Sequence, residues 1–328
     1  QRQMCIRDSD KTAFEKMLEI KGDSDYTKLI DMLTDLNDYS IGIEDVLKEH
    51  FDEENIVYWM AFQILMGNVD TQNRNVYLYS PLNSDIWYFI AWDNDGCLMR
   101  PEYELRNFSD QNSWEKGISN YWGNILFQRC LKSRSFREKL NDAILDLREY
   151  LNKDMLTSKI ESYKNVLKPY LYLMPDAEYE PLTSEQYDQI AASLPDEIEK
   201  NYQLYLESLE TPMPFYIGVP TIDGDKLKFN WDVSYDLDAE DITYSVEVAG
   251  DYLFRDVIYQ NTTLTVPEAE MDLPKAGQYF VRVRATNTSG KTQDAFDYYV
   301  TDEGKYYGMR CFYITEDSTV EEDDYEEG

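Results

Sequence analysis

Apolar residues recur at helical spacing through the first two thirds of the chain and alternate with polar ones through the last third, which predicts helices followed by strands. Segments 10 to 22, 24 to 37 and 42 to 50 read as short helices, with polar starts such as Ser24 and Ser40 and breaks at Gly22-Asp23 and Asn37-Asp38. From 52 to 66, Ile56, Met60 and Ile64, and beside them Val57, Ala61 and Leu65, form two adjacent i, i+4 rows. Acidic Asp52, Glu53 and Glu54 suit the start of that helix. It is expected to be buried and to end at Gly67, so that the loop from Asn68 to Asn75 leaves a rigid platform. Asn75 to Ser80 and Ile86 to Trp92 are aromatic and β-branched runs joined by the turn-rich Pro81-Leu82-Asn83-Ser84-Asp85, a β-hairpin. Residues 100 to 120 are polar, rich in asparagine and without a period, and are expected to be a loop over any site beside the hairpin. Helical patterns return at 121 to 151, 154 to 172 and 184 to 209, interrupted at Pro169, Pro181 and Pro195.

At Thr211-Pro212-Met213-Pro214 the helical pattern stops, which marks a linker. Beyond it Leu227, Phe229 and Trp231 alternate with polar residues, as do Tyr244, Val246 and Val248, and then Tyr279, Val281, Val283 and Ala285. Turns at Asp223-Gly224, Gly250-Asp251 and Ser289-Gly290 separate these runs, and short strands at such spacing imply a β-sandwich. Trp231, the strand from Tyr279 to Asn287 and the following Gly290 resemble fibronectin type III domains. From Thr315 the chain is almost wholly acidic, so 303–328 is expected to be an acidic tail that cannot order itself.

The 328 residues suffice for two domains, and 43% of them are hydrophobic, enough for a sizeable core in each. A net charge of −33 argues against nucleic acid and against an anionic membrane surface, and favours a cationic substrate or a divalent metal. Cysteines 5, 97, 130 and 311 have neither the paired spacing of a zinc site nor the density of a disulfide framework. The single histidine, His50, removes histidine-based dyads and triads and is expected at a helix end on the surface. No run of apolar residues is long enough to span a membrane. Residues 1–9 match no signal peptide and read as non-native sequence, so the native amino-terminal part, with any signal peptide, is expected to be missing.

Candidate chemistry lies at the hairpin. Asp70 and Asn75 stand five positions apart, the Asp-x-x-x-x-Asn spacing of a protein-kinase catalytic loop, and Trp92-Asp93-Asn94-Asp95-Gly96 follows one hairpin later, where kinases keep an Asp-x-Gly metal ligand. The hairpin should fold the two acidic segments back toward one end. Met66-Gly67-Asn68-Val69-Asp70, Asn75-Val76-Tyr77-Leu78-Tyr79 and Trp87-Tyr88-Phe89-Ile90-Ala91-Trp92-Asp93-Asn94-Asp95 together resemble the spore-coat-protein-H (CotH) kinase family, atypical secreted or surface-associated kinases. The resemblance covers residues 40 to 100 on motifs and extends to about 205 on helix pattern. Ala91 stands where the family has Pro, and Gly96-Cys97-Leu98 departs from the Phe-Gly ending of the metal loop.

The resemblance implies a mainly helical kinase-like carboxy-terminal lobe with a β-hairpin over 10–209; with the immunoglobulin-like, fibronectin type III-like sandwich read over 210–302, the chain is expected to be α+β. It implies that Asp70 orients the substrate hydroxyl, and that Asn75, Asp93 and Asp95 hold Mg2+ or Mn2+ against ATP. The expected substrate is a protein, such as a surface or coat protein. The sandwich would contact cell wall or polysaccharide, and the location would be extracellular or at the cell surface. Arg74 and Arg100 read as surface charges rather than phosphate ligands. No glycine-rich loop and no strand with a nucleotide lysine precedes Asp70, so this chain is expected to hold the carboxy-terminal lobe and to be inactive by itself. Two other readings stand beside the kinase. One is a non-catalytic scaffold or pseudokinase with a ligand-binding sandwich, which the altered metal loop favours; the other is a glycoside hydrolase using Asp70 with Asp93, in which the Asp-x-x-x-x-Asn spacing has no role.

Overall fold

The computed structural model describes residues 25–71, 75–105, 114–302 and 304–322, and the helix expected over 10 to 22 lies outside them. The chain is α+β, with helices first and antiparallel strands after them. It divides into one unit of Gln1–Glu102 with Tyr121–Tyr202 and a second of Tyr103–Asn120 with Gln203–Gly328.

The helical unit contains Thr27–Asn37 (α1), Ile43–His50 (α2), Glu53–Leu65 (α3), the strands Tyr77–Tyr79 (β1) and Tyr88–Ile90 (β2), and a short helix from Arg100 (Arg100–Leu105, α4). Then follow Ile125–Lys132 (α5), Arg134–Tyr150 (α6), Lys153–Leu171 (α7), Ser184–Ser193 (α8) and the first turns of Glu197–Glu210 (α9). Asp52 caps α3 by accepting the Asn55 N–H at 2.9 Å. As the two apolar rows predict, α3 is buried nearly all round: Ile56, Val57, Trp59, Met60, Ala61, Ile64 and Leu65 are all inside. Trp59, Phe89 and Phe127 stack around it with ring centres 4.8 to 5.8 Å apart.

Strands β1 and β2 pair antiparallel with Tyr77 opposite Ile90 and Tyr79 opposite Tyr88, which is the expected hairpin. Its seat on the helices is built from polar contacts. Asn55 presents its amide to β2 like a strand partner, accepting the Phe89 N–H at 2.6 Å and donating to the Phe89 carbonyl at 3.1 Å. The Trp87 N–H donates to the His50 carbonyl at 2.7 Å, and the Asp52 N–H to the Trp87 carbonyl at 3.1 Å. Lys28 closes the turn by donating to the Pro81 carbonyl at 2.6 Å.

Two expectations change in this unit. His50 ends α2 but is buried, its Nε2 2.8 Å from Asp35 Oδ2, because the end of that helix is wedged between α1 and the hairpin. The expected loop from 100 to 120 opens with α4, and its far part belongs to the other unit, where Trp114 and Ile118 are 7% and 0% exposed. Those two apolar residues draw the segment into a core: Trp114 meets Phe296 at 5.2 Å, and the Ile118 N–H donates to Ser208 Oγ at 3.1 Å.

In the second unit Thr221–Asp223 (β3), Lys226–Asn230 (β4) and Glu268–Asp272 (β7) form a three-stranded sheet in the order β3-β4-β7. Ile242–Ala249 (β5), Val257–Leu264 (β6), Gly277–Asn287 (β8), Thr292–Asp294 (β9), Met309–Ile314 (β12) and Val320–Glu322 (β13) form the other, ordered β13-β12-β8-β5-β6 with β9 beside β8. Tyr298–Thr301 (β10) and Gly304–Tyr307 (β11) make a separate hairpin. Leu227 and Phe229 of one sheet share a core with Val246, Val248, Val281, Val283 and Phe312 of the other, along the alternation seen in the sequence. The stretch expected to be a free tail from 303 instead supplies β11, β12 and β13. Met309, Cys311, Phe312 and Ile314 bury their side chains, and β12 pairs with β8 from Met309 opposite Arg282 to Ile314 opposite Gly277. The apolar run outweighs the acidic residues that follow it, and residues 323–328 lie outside the described part.

Candidate functional site

The carboxyl end of α3 fixes where the site begins. The Gly67 N–H donates to the Ile64 carbonyl at 3.1 Å and the Asn68 N–H to the Gln63 carbonyl at 3.0 Å, the paired bonds of a Schellman cap. Gly67 takes φ 60°, and a Cβ there would lie 2.7 Å from Asn201 Nδ2, so glycine is required twice over. Asn201 donates to the Leu65 carbonyl at 2.9 Å and accepts from Arg100 at 3.0 Å. Arg100 also meets buried Glu197 at 3.4 Å, so it braces this helix end, whereas Arg74 lies outside the described residues.

From this cap the chain enters a short 3-10 turn, Val69–Thr71, which carries Asp70. Asn68 Oδ1 accepts the Asp70 N–H at 3.2 Å. Thr71, fully buried, lies 3.1 Å from the Tyr121 hydroxyl and donates to the Asn68 carbonyl at 3.2 Å. The Asp70 side chain is exposed, and its Oδ2 accepts from Asn75 Nδ2 at 2.7 Å. The two residues singled out by spacing are therefore in direct contact, and the amide oxygen of Asn75 is its end not used by Asp70.

The second acidic segment forms another 3-10 turn, Asn94–Gly96, entered through Asp93 at φ 48°. Asp93 and Asp95 are exposed, while Asn94 between them is half-buried, its Oδ1 accepting from Gln63 Nε2 at 3.1 Å and from Asn68 Nδ2 at 3.5 Å. Asn68 Nδ2 also donates to Gln63 Oε1 at 2.9 Å, which closes a triangle of amides under the carboxylates. A Cβ on Gly96 would sit 2.8 Å from Asn68 Oδ1 and 3.4 Å from the Asp70 Cβ, so the turn rests directly on the Asp70 loop. Three non-glycine residues here, Asn75, Asp93 and Leu98, hold left-handed backbone at φ 55°, 48° and 57°. Asn and Asp tolerate that conformation and Leu does not, so Leu98 stores strain where the chain leaves the turn, held by its N–H bond to the Met66 carbonyl at 2.8 Å. Burial pushes the Cys97 thiol up to about 12; its hydrogen bond with Asn68 opposes that shift and the charge of Asp95 adds to it. A thiol in that state is no nucleophile at neutral pH.

No cation among the described residues pairs with Asp70, Asp93 or Asp95. Among the described residues, no three His, Cys, Asp or Glu side chains are gathered in a metal-holding group, so Asp70, Asp93 and Asp95 do not form a carboxylate cage. The side-chain oxygens of Asp93, Asp95 and Asn75 are of the kind a hard divalent cation takes while it keeps several waters and shares phosphate oxygens. The residues unforeseen from the sequence are Gln63, Asn68, Asn94 and Asn201. The one available signal was a glutamine inside the otherwise apolar Ile56–Leu65 run.

Among the described residues no helix is long and apolar enough to cross a membrane. The profile of a family described as "CotH kinase protein" matches residues 5–205, more than half of the chain. A search of curated proteins finds no match. Among solved structures, surface layer protein SbsC, domains 1-6, aligns over 94% of this chain at 11% identity with a TM-score of 0.17, a likeness too low to carry any argument. The chain spans 41% of the length of that solved chain.

Proposed function

The chain belongs to the CotH kinase family, and from that premise we propose that the Asp70 loop and the Asp93 turn are the phosphoryl-transfer site of an atypical protein kinase that uses ATP and Mg2+ or Mn2+. Membership brings a kinase-like fold and, in general, a kinase-type need for nucleotide and metal; the assignment of residues is our own. The observation that carries it is the 2.7 Å bond between Asp70 and Asn75 in a loop on which the Asp93–Gly96 turn rests.

Phosphoryl transfer asks little covalent chemistry of a protein: it needs an oriented hydroxyl and positive charge against the phosphate oxygens. Asp70 accepts the proton of the attacking hydroxyl, with the Asn75 amide fixing which carboxylate oxygen is free to do so. Asp93, Asp95 and the amide oxygen of Asn75 would hold the divalent cation, which would supply positive charge against the phosphate oxygens. A protein acceptor suits an open site whose carboxylates reach solvent. We place the protein outside the cell or at its surface, with a protein of that surface or coat as substrate.

The order β3-β4-β7 opposite β12-β8-β5-β6 supports reading the second unit as fibronectin type III-like, with a role in spacing or in contact with polysaccharide. The domain division we favour is a kinase part to about residue 209 and a sandwich after it, with the segment Tyr103–Asn120 counted to the sandwich unit.

The test is transfer of label from ATP to a protein acceptor in Mg2+ or Mn2+, by the chain alone and by the chain with any upstream residues its gene encodes. Loss of transfer in both Asp70→Ala and Asp93→Ala supports the assignment. Equal labelling by wild type and both variants rejects it.

A further inference from the structure

We propose that Gln63 is a positioning residue that holds the two halves of the site in register, an inference that rests on the functional reading above. Gln63 is 1% exposed in a helix whose other fully buried residues are apolar. An amide in that place carries a desolvation cost that only fully formed hydrogen bonds offset, and an apolar residue of similar shape would serve the core as well. Every polar atom that its side chain brings is engaged at the site. Its Nε2 donates to Asn94 Oδ1 at 3.1 Å, and its Oε1 accepts from Asn68 Nδ2 at 2.9 Å. Its own carbonyl accepts the Asn68 N–H at 3.0 Å. One residue thus grips the loop that carries Asp70 and the turn that presents Asp93 and Asp95, and it does so from a rigid helix.

This arrangement resolves a problem set by the exposed carboxylates. Asp93 and Asp95 are exposed side chains on a three-residue turn, and Asp93 is held in a left-handed conformation that a free turn would relax. Anchoring Asn94, the residue between them, fixes both flanking carboxylates without using either. Anchoring Asn68 fixes the Asp70 N–H through Asn68 Oδ1. Outer partners of this kind typically change metal affinity by about 10- to 100-fold when removed.

The experiment is Mn2+ titration of the whole chain followed by electron paramagnetic resonance, with circular dichroism melts on every variant. Gln63→Leu should bind Mn2+ about 10- to 100-fold more weakly while its circular dichroism spectrum shows it folded at the titration temperature. Asn94→Asp, which can still accept from Gln63 and Asn68, should bind at least as tightly as wild type. Asn94→Leu should weaken binding no more than Gln63→Leu, and the double variant should lose less than the two single effects added together, since both break the Gln63–Asn94 bond. Gln63→Met serves in place of Gln63→Leu if the latter melts early. Wild-type affinity in the folded Gln63 variant overturns the inference while Asp93→Ala still abolishes binding and the functional reading stands. If wild type binds no Mn2+ that Asp93→Ala removes, the reading of the metal falls, and amide hydrogen exchange decides on Gln63. Exchange at least tenfold faster at Asp70 and Cys97 in Gln63→Leu then supports the positioning role; unchanged rates overturn it.

Discussion

Carboxylates of the sandwich unit and those at the hairpin end of the helical unit meet different fates. In the sandwich unit Asp223 pairs with Lys228, Asp272 with Lys226 at 2.6 Å, Glu247 with Arg282 at 2.6 Å, Asp294 with Arg284 at 2.8 Å and Asp297 with Arg310 at 3.1 Å. In the helical unit Asp70, Asp93 and Asp95 face solvent with no cation from the described residues, and the groups that do touch the segment are amides. The sandwich spends its lysines and arginines on its own acids, whereas the hairpin end of the helical unit leaves acids uncompensated and stiffens the backbone that carries them. Uncompensated charge on rigid, left-handed backbone is what a fold tolerates where an outside cation or substrate completes the charge balance.

The contrast is broken most sharply by deleting one acid from each unit. Asp297 lies almost wholly inside, where burial raises its pKa against the opposing pull of Arg310, and it also accepts the Ile217 N–H at 2.7 Å. Asp297→Ala leaves Arg310 without that partner and the amide unpaired, and should lower stability by about 3 kcal/mol in urea unfolding. Asp93→Asn, which removes the charge but keeps a residue that tolerates φ 48°, should change stability by no more than about 0.5 kcal/mol, as surface substitutions usually do. A loss of several kcal/mol at Asp93 would mean that its role is structural and would erase the difference between the units.

The helix cap beneath the site gives a smaller effect. Gly67→Ala must hold φ 60° with a methyl group against Asn201, and should cost about 1 to 3 kcal/mol while also weakening any metal binding. Urea unfolding and Mn2+ titration of the same variant measure both. A Gly67→Ala variant as stable as wild type would show that the cap does not constrain the loop.

The smallest effect concerns pH. The Cys97 thiol is raised in the folded chain to about 12 from a usual value near 9, so the unfolded chain gives up this proton first as pH rises. Its contribution to stability is therefore complete below about pH 9 and is lost as pH climbs through about 12. Iodoacetamide labelling followed by peptide mapping should find Cys97 labelled far more slowly than a free thiol at pH 8. Rapid labelling of Cys97 in folded protein would contradict the packing of the turn against Asn68.

Much of the fold was legible because it follows from period. The buried helix from Glu53 to Leu65, the hairpin with Tyr77 opposite Ile90 and the alternation of Leu227, Phe229 and Trp231 all repeat what side-chain spacing dictates. Structure and expectation part where composition outweighs pattern. The acid-rich end hid the strand Met309–Ile314, and the polar stretch from 100 to 120 hid Trp114 and Ile118. A helix-end position alone puts His50 at the surface, and position does not reveal that Asp35 and the hairpin close over it. At the site, the spacing of Asp70 and Asn75 pointed to two residues that do touch. The amides that bind loop to turn were not legible, since Gln63, Asn68 and Asn94 are separated by up to 31 positions and only tertiary contact brings them together.

The central claim is that the Asp70 loop and the Asp93 turn serve one divalent cation, and Mn2+ binding by isothermal calorimetry tests it most directly. We predict one site in the wild-type chain that disappears in Asp93→Ala, weakens in Asn75→Leu and persists in the sandwich variant Asp272→Ala. Identical binding isotherms for all four proteins would contradict the account.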